Sequence, residues 1–71
     1  PDEAAPVGQP LSRRELEVLR LVAMGRTTDE IAVDLRIARL TARNHINNLE
    51  RKLGARSRVE AVVLGAHHGL I

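Results

Sequence analysis

Residues 27–53 read TTDEIAVDLRIARLTARNHINNLERKL, and the spacing of their apolar positions decides the fold. Ala42, Ile46, Leu49 and Leu53 recur at intervals of four, three and four residues, which places them on one stripe of a helix over about residues 39–53. Upstream, Ile31, Ala32 and Leu35 supply the apolar face of a shorter helix of about two turns, opened by Thr27 and Glu30. In such a capping box the Thr hydroxyl accepts the backbone N–H of residue 30, while the Glu carboxylate accepts that of residue 27. Only Arg36, Ile37 and Ala38 separate the two helices. A short helix, a tight turn and a longer amphipathic helix form the helix-turn-helix pattern.

The same signature recurs on both sides. Ser12 with Glu15 makes a capping box ahead of a helix from about Arg13 to Met24, with Leu11 stapled onto Leu16. Leu16, Leu19 and Ala23 form its apolar stripe, widened by Val22, and Gly25 is a left-handed stop. Downstream, Gly54 ends the third helix. Ser57 with Glu60 then opens a fourth, with Ala61, Val62 and Ala66 expected inward and Gly69 as its stop. The expectation is an all-α domain of four helices and no strand over residues 11–71. Residues 1–10, with Pro1, Pro6, Gly8 and Pro10, lack helical periodicity and read as a linker. An opening at Pro1 rather than Met suggests a segment of a longer polypeptide.

Composition excludes most other functions. A chain of 71 residues builds one modest core, which leaves little room for a buried catalytic cleft. No Ser, His and acid arrangement, paired carboxylates or glycine-rich phosphate loop is present, so a binding module is expected rather than an enzyme. Cysteine is absent, so stability must come from helix packing. Phe, Tyr and Trp are also absent, which removes the stacking platforms used on single strands and RNA and favours duplex as a nucleic-acid partner. Without an apolar run near the ~20 residues that span a bilayer, or a signal peptide, the chain reads as cytoplasmic with no membrane partner. His45 stands beside the core stripe, and the adjacent His67 and His68 face different directions on a helix and lack a third ligand, so neither metal nor cofactor is expected.

The net charge is only +2, but it is unevenly distributed. Residues 39–58 carry five arginines and Lys52 against Glu50 alone, a local charge of +5, whereas residues 1–38 sum to −2. Opposite the core stripe of the third helix stand Leu40, Arg43, Asn44, Asn47 and Arg51. The Arg fork matches guanine O6 and N7, and the Asn amide matches adenine N6 and N7 in the major groove. Arg43, Asn44 and Asn47 are therefore the candidate base readers. Arg39, Arg51, Lys52 and Arg56 suit phosphates, as do Thr27 and Thr28 at the start of the second helix, although Thr27 has a competing role as cap. Arg58 is the cation least clearly assigned.

Residues 11–71 resemble the helix-turn-helix of the LuxR family, which also forms the effector domain of NarL and FixJ type response regulators. The resemblance rests on Leu11-Ser12-Arg13-Arg14-Glu15-Leu16-Glu17-Val18-Leu19, Glu30-Ile31-Ala32, Thr41 with Arg43 and His45, and Lys52-Leu53-Gly54 leading to Arg56-Ser57-Arg58-Val59-Glu60-Ala61-Val62. It implies a bacterial transcription regulator that reads double-stranded promoter or operator DNA from the positions of Arg43, Asn44 and Asn47. It also implies a homodimer on DNA joined through the fourth helix, with RNA polymerase as a further candidate partner. Two positions depart from the family: Ala38 stands where a Ser caps the recognition helix, and Leu40 where a cation is frequent.

For the dimer contact, Val59 and Val63 are one turn apart on a flank of the fourth helix, and Gly65 would admit a close partner backbone. The competing account packs both valines on the first helix and leaves Gly65 a tolerated weak point. Two other functions stay open at this level. A sigma-factor DNA-binding region matches the first three helices but not the fourth, and a protein-interaction module would dock an acidic partner on the basic face.

Overall fold

The computed structural model describes residues 8–71. It contains α1 (Arg13–Ala23), α2 (Thr28–Leu35), α3 (Arg39–Leu53) and α4 (Arg58–His67), and no strand among the described residues. Most of the expected linker, residues 1–7, lies outside them. Gly8 to Pro10 are non-helical, but Gly8 N–H donates to the Lys52 carbonyl at 2.8 Å, so the chain is tied to the end of α3 before α1 begins.

Local chemistry sets the helix starts. Ser12 and Thr27 each accept the N–H of the residue three along at 3.1 Å, and Glu15 and Glu30 return the bond to the cap's own N–H at 2.9 Å. The third box is only half formed. Ser57 accepts from Glu60 N–H, but the Glu60 carboxylate takes the N–H of Arg56 rather than that of Ser57. Ala38 caps α3 with extended backbone and no side-chain bond.

All four helices stop in the same way. The N–H of Arg26, Ile37, Ala55 and Leu70 each reaches the carbonyl five residues back, satisfying an otherwise orphaned acceptor. The residue before each adopts a left-handed conformation. It is glycine in three cases and Arg36 in the turn between α2 and α3, at φ 57°. A left-handed non-glycine costs about 1–2 kcal/mol, tolerated here because the turn is bonded from Arg36 to Val33 and from Ile37 to Ala32. The turn before α2 is clamped separately, with the Arg26 guanidinium forking onto both Asp34 carboxylate oxygens at 2.9 Å and holding that carboxyl below its ordinary range.

The core joins Val18, Leu19 and Val22 of α1, Ile31 and Ala32 of α2, Ala42, Ile46 and Leu49 of α3, and Ala61 of α4. The α3 stripe follows the expected spacing, with Leu53 half-buried at its end. Two faces are rotated from expectation. In α1 the buried side centres on Val18 rather than on Leu16 and Ala23; Leu16 is half-buried and Ala23 exposed. In α4 Ala66 is exposed and Gly65 is buried in its place.

Candidate nucleic-acid interface

Because Ala42, Ile46 and Leu49 are held in the core, the opposite side of α3 must face outward. Leu40, Arg43, Asn44, Asn47 and Arg51 are all exposed there. Asn44, Asn47, Asn48 and Arg51 line a polar cleft of about 390 Å³ along this face. Asn48 was not among the sequence-derived site residues. It follows Asn47, lies one turn beyond Asn44 and is half-buried at the flank of the face; its i,i+4 spacing from Asn44 is the signal that could have found it.

The candidate phosphate contacts around this face divide into distinct environments. Thr27 spends its side-chain oxygen as the cap of α2, and Thr28 Oγ1 accepts from Arg58 Nη2 at 2.8 Å. The Thr28 hydroxyl proton stays available to donate. Arg58, at the first position of α4, thereby ties α4 to the start of α2 and also sits near Glu50 of α3. Burial pushes the Glu50 carboxyl above its ordinary range, and Arg58 partly offsets that effect. Arg39 is held by Asp29 in α2, Nε to Oδ1 at 2.7 Å, with both side chains largely exposed. Arg56 is exposed in the turn before α4.

The family model described as bacterial regulatory proteins, luxR family, matches residues 9–65. The chain belongs to this family. It is 49% identical over 53 residues to the spore germination protein GerE of Bacillus subtilis, covering 75% of this chain and 72% of GerE. The solved GerE structure superposes with a TM-score of 0.79 at 33% identity, over 87% of this chain and 94% of that chain. The transcriptional regulatory protein YvfU of Bacillus subtilis is 42% identical over 62 residues, covering 87% of this chain but 31% of YvfU. The response regulator ChrA of a heme-sensing two-component system superposes with a TM-score of 0.85 at 32% identity, over 89% of this chain and 31% of ChrA. The chain is thus a LuxR-type helix-turn-helix DNA-binding domain of the transcription-regulator class, and it spans under a third of YvfU and of ChrA.

Within this LuxR-type domain two assignments made from sequence need correction. Lys52 does not join the cations at the exposed face. Its ammonium donates to Glu15 Oε1 at 2.7 Å, with only 17% of the Lys side chain and 7% of the Glu side chain accessible. A buried carboxylate needs a partner, and Lys52 supplies it from the turn of α3 nearest α1. Gly65 does not face a second molecule either. A Cβ built on it would stand 2.8 Å from Leu19 Cδ2, so the missing side chain lets α4 close onto α1 within one chain. Val59 and Val63 are instead 74% and 60% exposed, which removes the account that packs them on α1.

The histidines form no cluster with acids: among the described residues no group of three or more His, Cys, Asp or Glu is arranged to hold a metal ion. His67 and His68, expected to diverge, lie edge to face with ring centroids 5.3 Å apart at the C-terminal end of α4. No helix among the described residues is long and apolar enough to cross a membrane.

Proposed function

We propose that α3 lies in the major groove of double-stranded DNA, with Arg43, Asn44 and Asn47 on base edges and Asn48 at the margin of the same surface. The observation that carries this reading is the two-sidedness of α3: one stripe closed in the core, the other an exposed row of Arg and Asn lining a polar cleft. These side chains have the donor and acceptor patterns that distinguish base pairs in the major groove. Arg51, Arg56 and the start of α2 at Thr27 and Thr28 flank this row and contact phosphates, fixing register without reading sequence. The domain acts by binding, without catalysis or cofactor, in the cytoplasm where the chromosome is found.

One short helix reads only a few base pairs, so two copies bind half-sites about one helical turn apart and pair through the Val59 and Val63 flank of α4. The exposure of both valines supports this pairing. RNA polymerase is a further partner.

The deciding measurement is titration of labelled duplex at about 50 and 200 mM salt. Phosphate contacts release counterions, so affinity should fall by orders of magnitude over that range. A module that docks an acidic protein would show weak duplex binding and no such slope, and that outcome would overturn the proposal.

A further inference from the structure

The start of α3 is electrostatically unusual. Its cap, Ala38, offers no side-chain acceptor, its first turn holds no acidic residue, and its first residue is Arg39. A helix N-terminus carries partial positive charge, so a cation there without a nearby anion is unfavourable. The structure supplies the missing anion from another helix: Asp29, in the first turn of α2, stands 2.7 Å from Arg39 Nε across the helix-turn-helix. Asp29 is the neighbour of Glu30, which is already committed to the Thr27 cap.

We propose that Asp29 is an affinity-setting residue that occupies Arg39 in place of a DNA phosphate. The inference rests on the DNA-binding reading above and sharpens it. With α3 in the groove, its N-terminal end lies between the phosphate walls, and a cation at that end is normally matched to phosphate. Here a phosphate competes with Asp29 for the Arg39 guanidinium, whose charge the carboxylate already compensates, and a carboxylate displaced by that competition stands uncompensated beside the DNA backbone. Both side chains are largely exposed, 65% and 71%, so the pair is an equilibrium contact that water and salt can open. An exposed pair of this kind shifts an equilibrium by up to about fivefold. Asp29 therefore lowers affinity for every duplex alike without altering which bases are read.

The test is a double-mutant cycle on this chain, with fluorescence anisotropy of a labelled random-sequence duplex of two helical turns across a salt series. Asp29→Asn should bind about two- to fivefold tighter, and its slope of log affinity against log salt should steepen by about 0.9, one added phosphate contact. Arg39→Ala should change wild-type binding by less than about twofold, yet abolish the whole gain when combined with Asp29→Asn. Selection of preferred sites should return the same motif for wild type and Asp29→Asn. Circular dichroism confirms that each variant is folded, and Asp29→Glu, which keeps the charge, should behave as wild type.

If Arg39→Ala weakens both backgrounds equally, Arg39 contacts phosphate regardless of Asp29 and the proposal falls. It falls as well if the gain of Asp29→Asn survives removal of Arg39, because the acid then acts only by general repulsion. Absence of salt-dependent duplex binding by the wild type would sink the DNA-binding reading and this inference with it, whereas binding with a flat cycle sinks this inference alone.

Discussion

Glu15 Oε1 accepts two hydrogen bonds at once, from Ser12 N–H at 2.9 Å and from Lys52 Nζ at 2.7 Å, the second across 37 residues of sequence. One oxygen thus closes the capping box of α1 and ties α1 to the end of α3. Burial alone would push this carboxyl up. The bonds from Lys52 and Ser12 outweigh it and hold the group below the ordinary value of about 4.5.

Glu15→Gln should keep the cap, since Gln also serves in a capping box, but leave the Lys52 charge against an amide. The expected loss is about 2 kcal/mol at neutral pH, below the ~3–5 of a fully enclosed pair because Lys52 retains some water contact. A carboxyl whose folded pKa is depressed contributes stability above its unfolded pKa and loses it as pH falls through the folded one. The gap between wild type and Glu15→Gln in urea unfolding should therefore be full at pH 7 and shrink steadily below about pH 4.5. A gap that stayed constant with pH would show that the ion pair contributes nothing.

Ala38→Ser should stabilise the domain. Ala38 has the extended backbone of an N-cap, φ −67° and ψ 150°, but no side-chain oxygen to accept an N–H of α3. Supplying one is worth up to ~1 kcal/mol, or about 4–8 °C in thermal midpoint for a domain of this size. An unchanged midpoint would mean that the backbone at Ala38 cannot orient a serine hydroxyl toward the helix.

What was legible in the sequence were interactions three or four residues apart. Ser12 with Glu15 and Thr27 with Glu30 bond as their spacing requires, and Ala42, Ile46 and Leu49 share a stripe because helix geometry leaves no alternative. Long-range pairs were not legible. Nothing within α3 distinguishes Lys52 from its neighbour Arg51, and only packing against α1 turns one inward. Gly65 and Ala66 differ by one position, and which of them is buried depends on how closely α4 approaches Leu19. Arg36 gives no local sign of a left-handed turn, because arginine is not a turn former. The exposed row from Arg43 to Asn47 was legible for the same reason as the core stripe, since fixing one face of a helix fixes the other.

Arg43 and Arg56 should respond differently to truncation. Arg43 lies mid-face on α3, so Arg43→Ala should weaken binding to the preferred site by ~1–3 kcal/mol and relax selection at one base pair. Arg56 lies in the turn after α3, so Arg56→Ala should weaken all sequences about equally and reduce the salt slope by about one. Site selection from a random duplex pool separates the two. If Arg43→Ala returned the wild-type motif unchanged, Arg43 would not be a base reader.

Val63 and Gly65 are two residues apart on α4, yet substitutions there should fail in opposite ways. Val63 is 60% exposed, so Val63→Glu should leave circular dichroism and thermal midpoint nearly unchanged. A charge placed in an apolar pairing surface should abolish cooperative occupancy of a two-half-site operator while single half-site binding persists. Gly65→Ala instead places a methyl 2.8 Å from Leu19 Cδ2, and Leu19 is fully buried in the core. Overpacking costs ~1–3 kcal/mol, against about 1 kcal/mol recovered by removing glycine from a helix interior. The strain should prevail because Leu19 is enclosed by the core, so the midpoint should fall while the remaining folded protein keeps its cooperativity. Retained cooperativity in Val63→Glu would eliminate the α4 interface, and a stabilised Gly65→Ala would show that α4 can move away from α1 at little cost.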